Sequence, residues 1–207
     1  VYGSDPGFSV ASNGGTHTAW EDVALIREIP GAVICDPADD VQMEWIIKEF
    51  LKMEGIHYVR SNRKAVRNVY KKGSSFKIGQ GNILKEGKDI LIIAAGQLVS
   101  EALDCAEELE KEGYSVEVID MFTIKPLDEK LLIKEAKGKS KIVTIENHSI
   151  YGGLGSAVSE VIAENGISVP VKRIGVKEKF GQVGTAEFLQ EEFGLTAKQI
   201  KETICQF

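Results

Sequence analysis

Short apolar runs alternate along this chain with longer stretches in which apolar residues recur every three or four positions. Asp89–Ala95 is apolar from its second residue onward, as expected of a strand that is buried on both faces of a parallel sheet. In the next stretch, Leu98–Lys111, the apolar residues share one helical face and Glu and Lys occupy the other. This alternation predicts βαβ units and a three-layer α/β/α fold.

The same pattern continues from end to end. Predicted strands are 1–4, 32–35, 56–60, 78–85, 89–95, 114–121, 141–146 and 170–176, and predicted helices are 19–29, one between Asp39 and Gly55, 98–111, 131–136, 156–164, 185–193 and 196–205. Between two of these strands, lysines and arginines crowd around Gly73-Ser74-Ser75 with few apolar positions. We therefore expect a linker at 67–80, between a first domain at 1–66 and a second at 81–207.

One polar stretch in the first domain is a candidate binding loop. Ser9–Thr16 is rich in Ser, Asn and Gly, and Thr16 is a suitable N-cap for the helix that follows. That placement would put His17 beside the positive end of the helix, where it could hydrogen-bond an oxygen-rich ligand. A surface turn with an incidental histidine is the alternative, and the spacing does not exclude it.

Charge and cysteine content narrow the function classes. A net charge of −6 disfavours nucleic acid or an anionic membrane as the main partner. Three well-separated cysteines predict neither a disulfide framework nor a zinc site, as expected for a cytoplasmic protein. The chain begins with Val1, without a signal peptide, on what resembles the end of a strand, so we expect it to be a piece of a longer protein.

Several segments resemble segments of transketolases in the same order along the chain. The later part of the transketolase pyrimidine-binding domain is similar to Gly14–Asp22, Ile29–Gly31 and Asp36–Asp39, its phosphate-gripping loop to Tyr58–Arg63, and the transketolase C-terminal domain to Asp120–Asp128 and Glu146–Ser156. The resemblance covers nearly the whole chain. It implies a truncated pyrimidine-binding domain followed by a C-terminal domain with a mostly parallel sheet.

The resemblance also implies roles for individual residues. His17 matches the catalytic histidine that hydrogen-bonds oxygens of the donor sugar, and Arg63 matches the arginine that binds the sugar phosphate. Asn13 stands where the family usually has an aspartate that recognises a sugar hydroxyl, so the substrate preference stays open there. Asp5 stands where some transketolases have histidine, and we include it as a neighbour of the substrate site.

By the same resemblance, the assembled enzyme moves a two-carbon ketol unit from a ketose phosphate to an aldose phosphate, as in the pentose phosphate pathway. It uses thiamine diphosphate and Mg²⁺. We expect neither cofactor to bind this chain alone, because the family's activating glutamate and its Gly-Asp-Gly diphosphate motif are not found in the 207 residues. The chain would then be the C-terminal portion or subunit of a transketolase, inactive without its N-terminal partner, in a homodimer or heterotetramer.

Other readings share some of these features. A deoxyxylulose phosphate synthase and the β chain of a 2-oxo-acid dehydrogenase have the same domain order, and a non-catalytic fragment for dimerisation and docking is a further alternative. Gly153 and Gly155 begin a dinucleotide-binding pattern, but Val158 stands where its third glycine would be, so we expect a tight turn. We expect His148 to be a hydrogen-bonded turn residue and not a catalytic one.

Overall fold

The computed structural model describes all residues from Val1 to Phe207. The strands are β1 (Tyr2–Ser4), β2 (Val33–Cys35), β3 (His57–Ser61), β4 (Asn82–Lys85), β5 (Ile90–Ala94), β6 (Val116–Asp120), β7 (Thr123–Lys125), β8 (Lys141–Ser149) and β9 (Val171–Val176). The helices are α1 (Asp22–Arg27), α2 (Asp40–Phe50), α3 (Val99–Lys111), α4 (Glu129–Glu135), α5 (Leu154–Glu164), α6 (Ala186–Glu192) and α7 (Ala197–Gln206). The predicted α/β class is confirmed.

The larger sheet has the strand order β4-β6-β5-β8-β9. Only β4 runs antiparallel, at the edge, and all other pairs are parallel. One apolar cluster joins this sheet to α3 and α7, and a second joins its opposite face to α4 and α5. The central strand β5 is fully buried, because helices cover both faces, and the three-layer prediction is confirmed.

The smaller sheet has the order β1-β3-β2-β7. Its first three strands are parallel, and β7 pairs antiparallel with β2. The predicted strands do not include any between 121 and 131, but Thr123–Lys125 completes this sheet. Lys125 is tied to the end of α1, since its Nζ donates to the carbonyl oxygens of Arg27 and Ile29 at 2.6 and 2.7 Å. The two halves of the sequence therefore share one sheet.

The expected linker is better anchored than its composition indicates. The backbone N–H groups of Val69 and Tyr70 both donate to Asp39 Oδ2, at 2.8 and 2.7 Å. The Tyr70 hydroxyl donates to the buried carboxylate of Asp120 at 2.6 Å. The expectation of few anchoring contacts is wrong, because buried carboxylates outside the segment supply its partners. The domain boundaries themselves stay a prediction.

None of the helices combines the length and the apolar composition that crossing a membrane requires.

Candidate active site

Two of the predicted site residues meet where two parallel strands end. Strands β1 and β3 are neighbours, and Ser4 lies opposite Ser61 in their register. The residues that follow must therefore emerge side by side at the carboxyl edge of the sheet, where open α/β sheets bind ligands. Arg63 Nη2 lies 2.7 Å from Asp5 Oδ2 in a salt bridge. The structure thus brings together two site residues that are far apart in sequence.

The two members of this pair differ in exposure. The Asp5 side chain is 5% exposed, whereas the Arg63 side chain is 62% exposed. Asp5 adopts a φ of +55°, which aspartate tolerates better than most residues, and its backbone N–H donates to the Ser61 carbonyl at 2.7 Å. Its second carboxylate oxygen, Oδ1, is buried without a hydrogen-bond partner. The pair therefore offers an exposed guanidinium that a buried carboxylate orients.

Arg63 also lines a cavity of about 240 Å³ against the start of α2. Its other lining residues include Asp40, Met43 and Lys64, but not His17, Asn13 or Asp5. The chain therefore does not enclose the four predicted site residues in this cavity.

His17 and Asn13 are exposed on an irregular segment. The expected loop is a run of 3₁₀ turns over Gly7–Thr16, interrupted at Ala11 and Gly14. Thr16 is not a helix N-cap, because α1 begins only at Asp22 and the intervening residues are not helical. The Thr16 hydroxyl instead lies 2.9 Å from His17 Nδ1, and Nε2 makes no hydrogen bond within the chain. The ring is thereby oriented with one nitrogen free.

The His17 segment is supported by a loop from the end of the chain, which the sequence did not reveal. A Cβ on Gly15 would lie 2.5 Å from the Gly181 carbonyl oxygen, and a Cβ on Gly181 would lie 2.5 Å from Thr18 Oγ1. The two backbones approach so closely that only glycine fits at both positions. This contact places the His17 segment on the C-terminal half.

A buried charge cluster lies beneath the site. Arg60 is 1% exposed, and its guanidinium donates to Asp22 Oδ2 at 2.9 Å and Asp36 Oδ2 at 2.8 Å. Burial raises the pKa of Asp36, although Arg60 opposes that rise. Burial acts the same way on Asp22, but Arg60 and a hydrogen bond from Tyr58 hold its pKa below the usual value. From the sequence, Arg60 was expected at the end of a strand, and no buried ion pair was predicted for it. Arg60 lies in β3 beside Asp36, which directly follows β2. These neighbouring positions could have indicated the ion pair between Arg60 and Asp36.

The glycines of the expected tight turn after β8 lie beside a buried carboxylate, that of Glu146. Glu146 accepts hydrogen bonds from the backbone N–H groups of Leu154 and Gly155 at 2.7 and 2.8 Å, at the N-terminus of α5. Burial raises the pKa of Glu146 to about 7 despite these bonds. A Cβ on Gly153 would lie 2.0 Å from Glu146 Oε2. A Cβ on Gly155 would lie 2.7 Å from Thr144 Oγ1, so close packing explains both glycines without a nucleotide.

His148 lies within β8 and not in a turn. Its Nδ1 is 2.7 Å from the Ser149 carbonyl oxygen, while Nε2 is buried without a partner. Burial and the nearby Arg60 charge lower its pKa to about 4. The imidazole is therefore neutral near pH 7.

The chain offers no ligand set for a metal ion, because no group of three or more His, Cys, Asp or Glu side chains is suitably arranged. Its residues therefore do not fit the Mg²⁺ that the resemblance implies, and we assign no step to a metal on this chain.

Comparison with known proteins identifies the family. Residues 79–200 match the family described as transketolase, C-terminal domain. A 6-deoxy-6-sulfo-D-fructose transketolase subunit from Clostridium sp. is 42% identical over 97% of this chain and 62% of its own length. A putative transketolase C-terminal section from Methanocaldococcus jannaschii is 38% identical over 100% of this chain and 65% of its own length. 1-Deoxy-D-xylulose-5-phosphate synthases are also related, at 32 to 35% identity.

A solved structure agrees with this assignment. A split gene transketolase, described as an inactive beta4 tetramer, superposes with a TM-score of 0.88 at 36% identity, over 99% of this chain and 64% of that one. The chain thus spans somewhat under two thirds of the length of these relatives. It belongs to the transketolase family and contains that family's C-terminal domain.

Proposed function

We propose that this chain is the C-terminal part of a transketolase, active when its N-terminal part or subunit is supplied. The assembled enzyme would transfer a two-carbon ketol unit from a ketose to an aldose, each bearing a terminal anionic group. The observation that carries the proposal is the Asp5–Arg63 pair, an exposed guanidinium oriented by a buried carboxylate at the carboxyl edge of a parallel sheet.

We assign each site residue a role from the atoms that hydrogen bonds within the chain leave free. Arg63 uses Nη2 on Asp5, which leaves the other N–H groups of its fork to bind oxygens of a phosphate or sulfonate. Asp5, which is almost fully buried, orients this guanidinium at the edge of the substrate site. His17 presents Nε2 to the sugar oxygens and holds them in place, and Asn13 contributes an amide from the same segment. Arg63 therefore binds the anionic group, Asp5 orients Arg63, and His17 orients the sugar.

The terminal anion need not be a phosphate. The Clostridium relative is named for 6-deoxy-6-sulfo-D-fructose, a sulfonated sugar. A guanidinium fork pairs with the oxygens of either group, because both present three acceptors at similar geometry. We propose the class of anionic ketoses and aldoses, within carbohydrate metabolism of the pentose phosphate type.

Thiamine diphosphate would supply the electron sink that allows the carbon–carbon bond to break. We propose that it and Mg²⁺ are held mainly by the N-terminal part, in a homodimer or heterotetramer. The three cysteines are free, and two of them are buried, which supports the cytoplasm as the compartment.

Two competing functions predict different chemistry. A deoxyxylulose phosphate synthase or a 2-oxo-acid dehydrogenase would consume pyruvate or another 2-oxo acid as donor. Pyruvate consumption by the assembled enzyme, without ketol transfer between sugars, would reject the transketolase proposal. A fragment used only for docking would show neither activity with any N-terminal partner.

Arg63→Ala tests the anion site in the assembled enzyme. Losing a hydrogen-bonded charge pair costs about 1.5–3 kcal/mol, so we expect KM for phosphorylated donors to rise about 10- to 150-fold. The value of kcat should change little, because this contact is made in both the ground state and the transition state. For an unphosphorylated donor, the two enzymes should have similar KM values.

Arg67→Ala is the matched control. Arg67 is 52% exposed and also pairs with one aspartate, Asp104, at 2.6 Å. It lies outside the strand-end pair, so we expect less than about a twofold change in KM. An Arg63→Ala enzyme with wild-type KM for phosphorylated and sulfonated donors would contradict the proposed role.

A further inference from the structure

The start of the irregular segment that leads to His17 is held by a side chain from the C-terminal half of the sequence. Asn147 Oδ1 accepts a hydrogen bond from the Phe8 backbone N–H at 3.2 Å, and Asn147 Nδ2 donates to the Pro6 carbonyl oxygen at 3.0 Å. These contacts span 139 and 141 residues of sequence. One amide thus satisfies both backbone groups that flank Gly7.

The fit around Gly7 is tight. Gly7 has a φ of +57°, and a Cβ there would lie 2.1 Å from Asn147 Oδ1 and 2.6 Å from Trp20 Cζ3. A glycine is therefore required by both the backbone conformation and the available space. This close contact restricts the position of the backbone at Gly7 relative to the Asn147 side chain.

Asn147 is itself immobilised. It is 2% exposed and lies in β8, the strand between β5 and β9. The backbone carbonyl oxygen of Asn147 accepts a hydrogen bond from Arg60 Nη2 at 3.0 Å, and Arg60 is held in turn by Asp36 and Asp22, whose side chains are 6% and 12% exposed. The reference point for the segment is therefore a buried position in β8, two residues beyond Ile145, where the pairing with β5 ends.

The anchored residues lie between residues of the proposed substrate site. Asp5 immediately precedes Pro6, and Asn13 and His17 follow Phe8 on the same segment. We propose that Asn147 is a positioning residue, through which the C-terminal domain sets the place of Asp5, Asn13 and His17 toward the sugar. This inference rests on the proposed function for its catalytic consequence, but its structural part does not.

Removing the amide would leave the Phe8 N–H buried without a partner, and the Pro6 carbonyl oxygen would keep only the hydrogen bond from the Ser9 N–H at 3.1 Å. Such groups recover hydrogen bonds only by admitting water or by shifting. Few other polar contacts hold this end of the segment, among them the Gly7 N–H to the Ala19 carbonyl at 3.0 Å and the Ser9 hydroxyl to Asn62 at 2.6 Å. We therefore expect local loosening of 6–16, with the sheet intact.

The structural part is tested by hydrogen exchange on the 207-residue chain. In Asn147→Ala, we expect amide exchange of 6–16 to speed up about tenfold, while Ile90–Ala94 stays as protected as in the wild type. Asn165→Ala is the matched control, since Asn165 Nδ2 also donates to a backbone carbonyl, that of Val161 at 2.9 Å, but at the end of α5. Unchanged exchange of 6–16 in Asn147→Ala would overturn the proposal.

The catalytic part is tested in the assembled enzyme. We expect Asn147→Ala to raise KM for the donor about tenfold at nearly constant kcat, with Asn165→Ala unchanged. A loosened segment with an unaltered KM would also overturn the proposal. If the wild-type assembly shows no ketol transfer, the proposed function fails, while the exchange measurement still decides whether Asn147 positions the segment.

Asn147→Asp keeps the proposal testable if the alanine variant does not fold. Its carboxylate can accept from Phe8 but cannot donate to Pro6 until it is protonated. We expect both exchange protection of 6–16 and the donor KM to recover toward wild type as the pH is lowered. Equal ratios of variant to wild type at all pH values would contradict a role for the donated hydrogen bond.

Discussion

Replacing Arg60 by methionine should lower the free energy of unfolding of this protein more than most single substitutions would. Arg60 is the only cation in contact with the buried carboxylate of Asp36, and it also donates to Asp22. Methionine has a similar volume but no charge, so Arg60→Met would leave two carboxylates without their cation. Asp22 would keep the hydrogen bond from Tyr58 at 2.7 Å, whereas the Asp36 side chain would lose its cation.

The size of the effect follows from burial. Arg60 is 1% exposed and Asp36 is 4% exposed, so water cannot replace the lost partner without opening the structure. Breaking a buried ion pair by removing one partner costs about 3–5 kcal/mol. For a chain of this size, that corresponds to a fall in Tm of about 6–20 °C.

Urea and thermal unfolding followed by circular dichroism measure this loss. Arg67→Met is the control, because its salt bridge to Asp104 is exposed and should be worth about 0–1 kcal/mol. Adding Asp36→Asn to Arg60→Met should restore part of the stability, because it removes one uncompensated charge. The deficit of Arg60→Met should also shrink as the pH falls from 7.5 to 5, since a buried carboxylate without its cation takes up a proton more readily.

A loss below about 1 kcal/mol in Arg60→Met would refute this reasoning. So would a double variant no more stable than Arg60→Met, since uncompensated charge would then not be the cause.

Two further changes test other parts of the structure. Burial raises the pKa of Asp120 from 3.8 to about 7, so between these values the folded state holds a proton that the unfolded state has lost, and stability falls as the pH rises. Asp120→Asn should remove this pH dependence, so the stability of the variant relative to the wild type should increase between pH 4 and 7.5. A constant difference between the urea midpoints of the two proteins over this pH range would contradict this. Gly15→Ala should displace the His17 segment, because its Cβ would lie 2.5 Å from the Gly181 carbonyl oxygen, at a cost of about 1–3 kcal/mol and with a raised donor KM in the assembled enzyme. Ser12→Ala, on an exposed residue of the same segment, should change neither quantity, and equal effects in the two variants would show that the glycine contact is unimportant.

Much of the candidate site was predictable, though by two routes. The strand-end position of Asp5 and Arg63 followed from the alternation of strands and helices, because parallel strands end at the same edge. The roles of these residues and of His17 came from the resemblance to transketolases, not from spacing. The surroundings were less predictable. Arg60 and Asn147 are buried polar residues and, apart from the position of Asp36 beside Arg60, nothing in the sequence specifies their partners.

The sequence by itself determined the fold class and the approximate place of nearly every element. Whether a segment is buried on one face or on both determines its own pattern of apolar residues. The type of each element can therefore be predicted from that segment alone. Only the tertiary structure decided that β7 joins the smaller sheet, that Asp39 and Asp120 anchor the expected linker, and that Asn147 holds the segment before His17. These outcomes depend on which polar groups, distant in sequence, meet when the sheets assemble. A buried donor requires an acceptor, but its own sequence neighbours do not specify which one it finds.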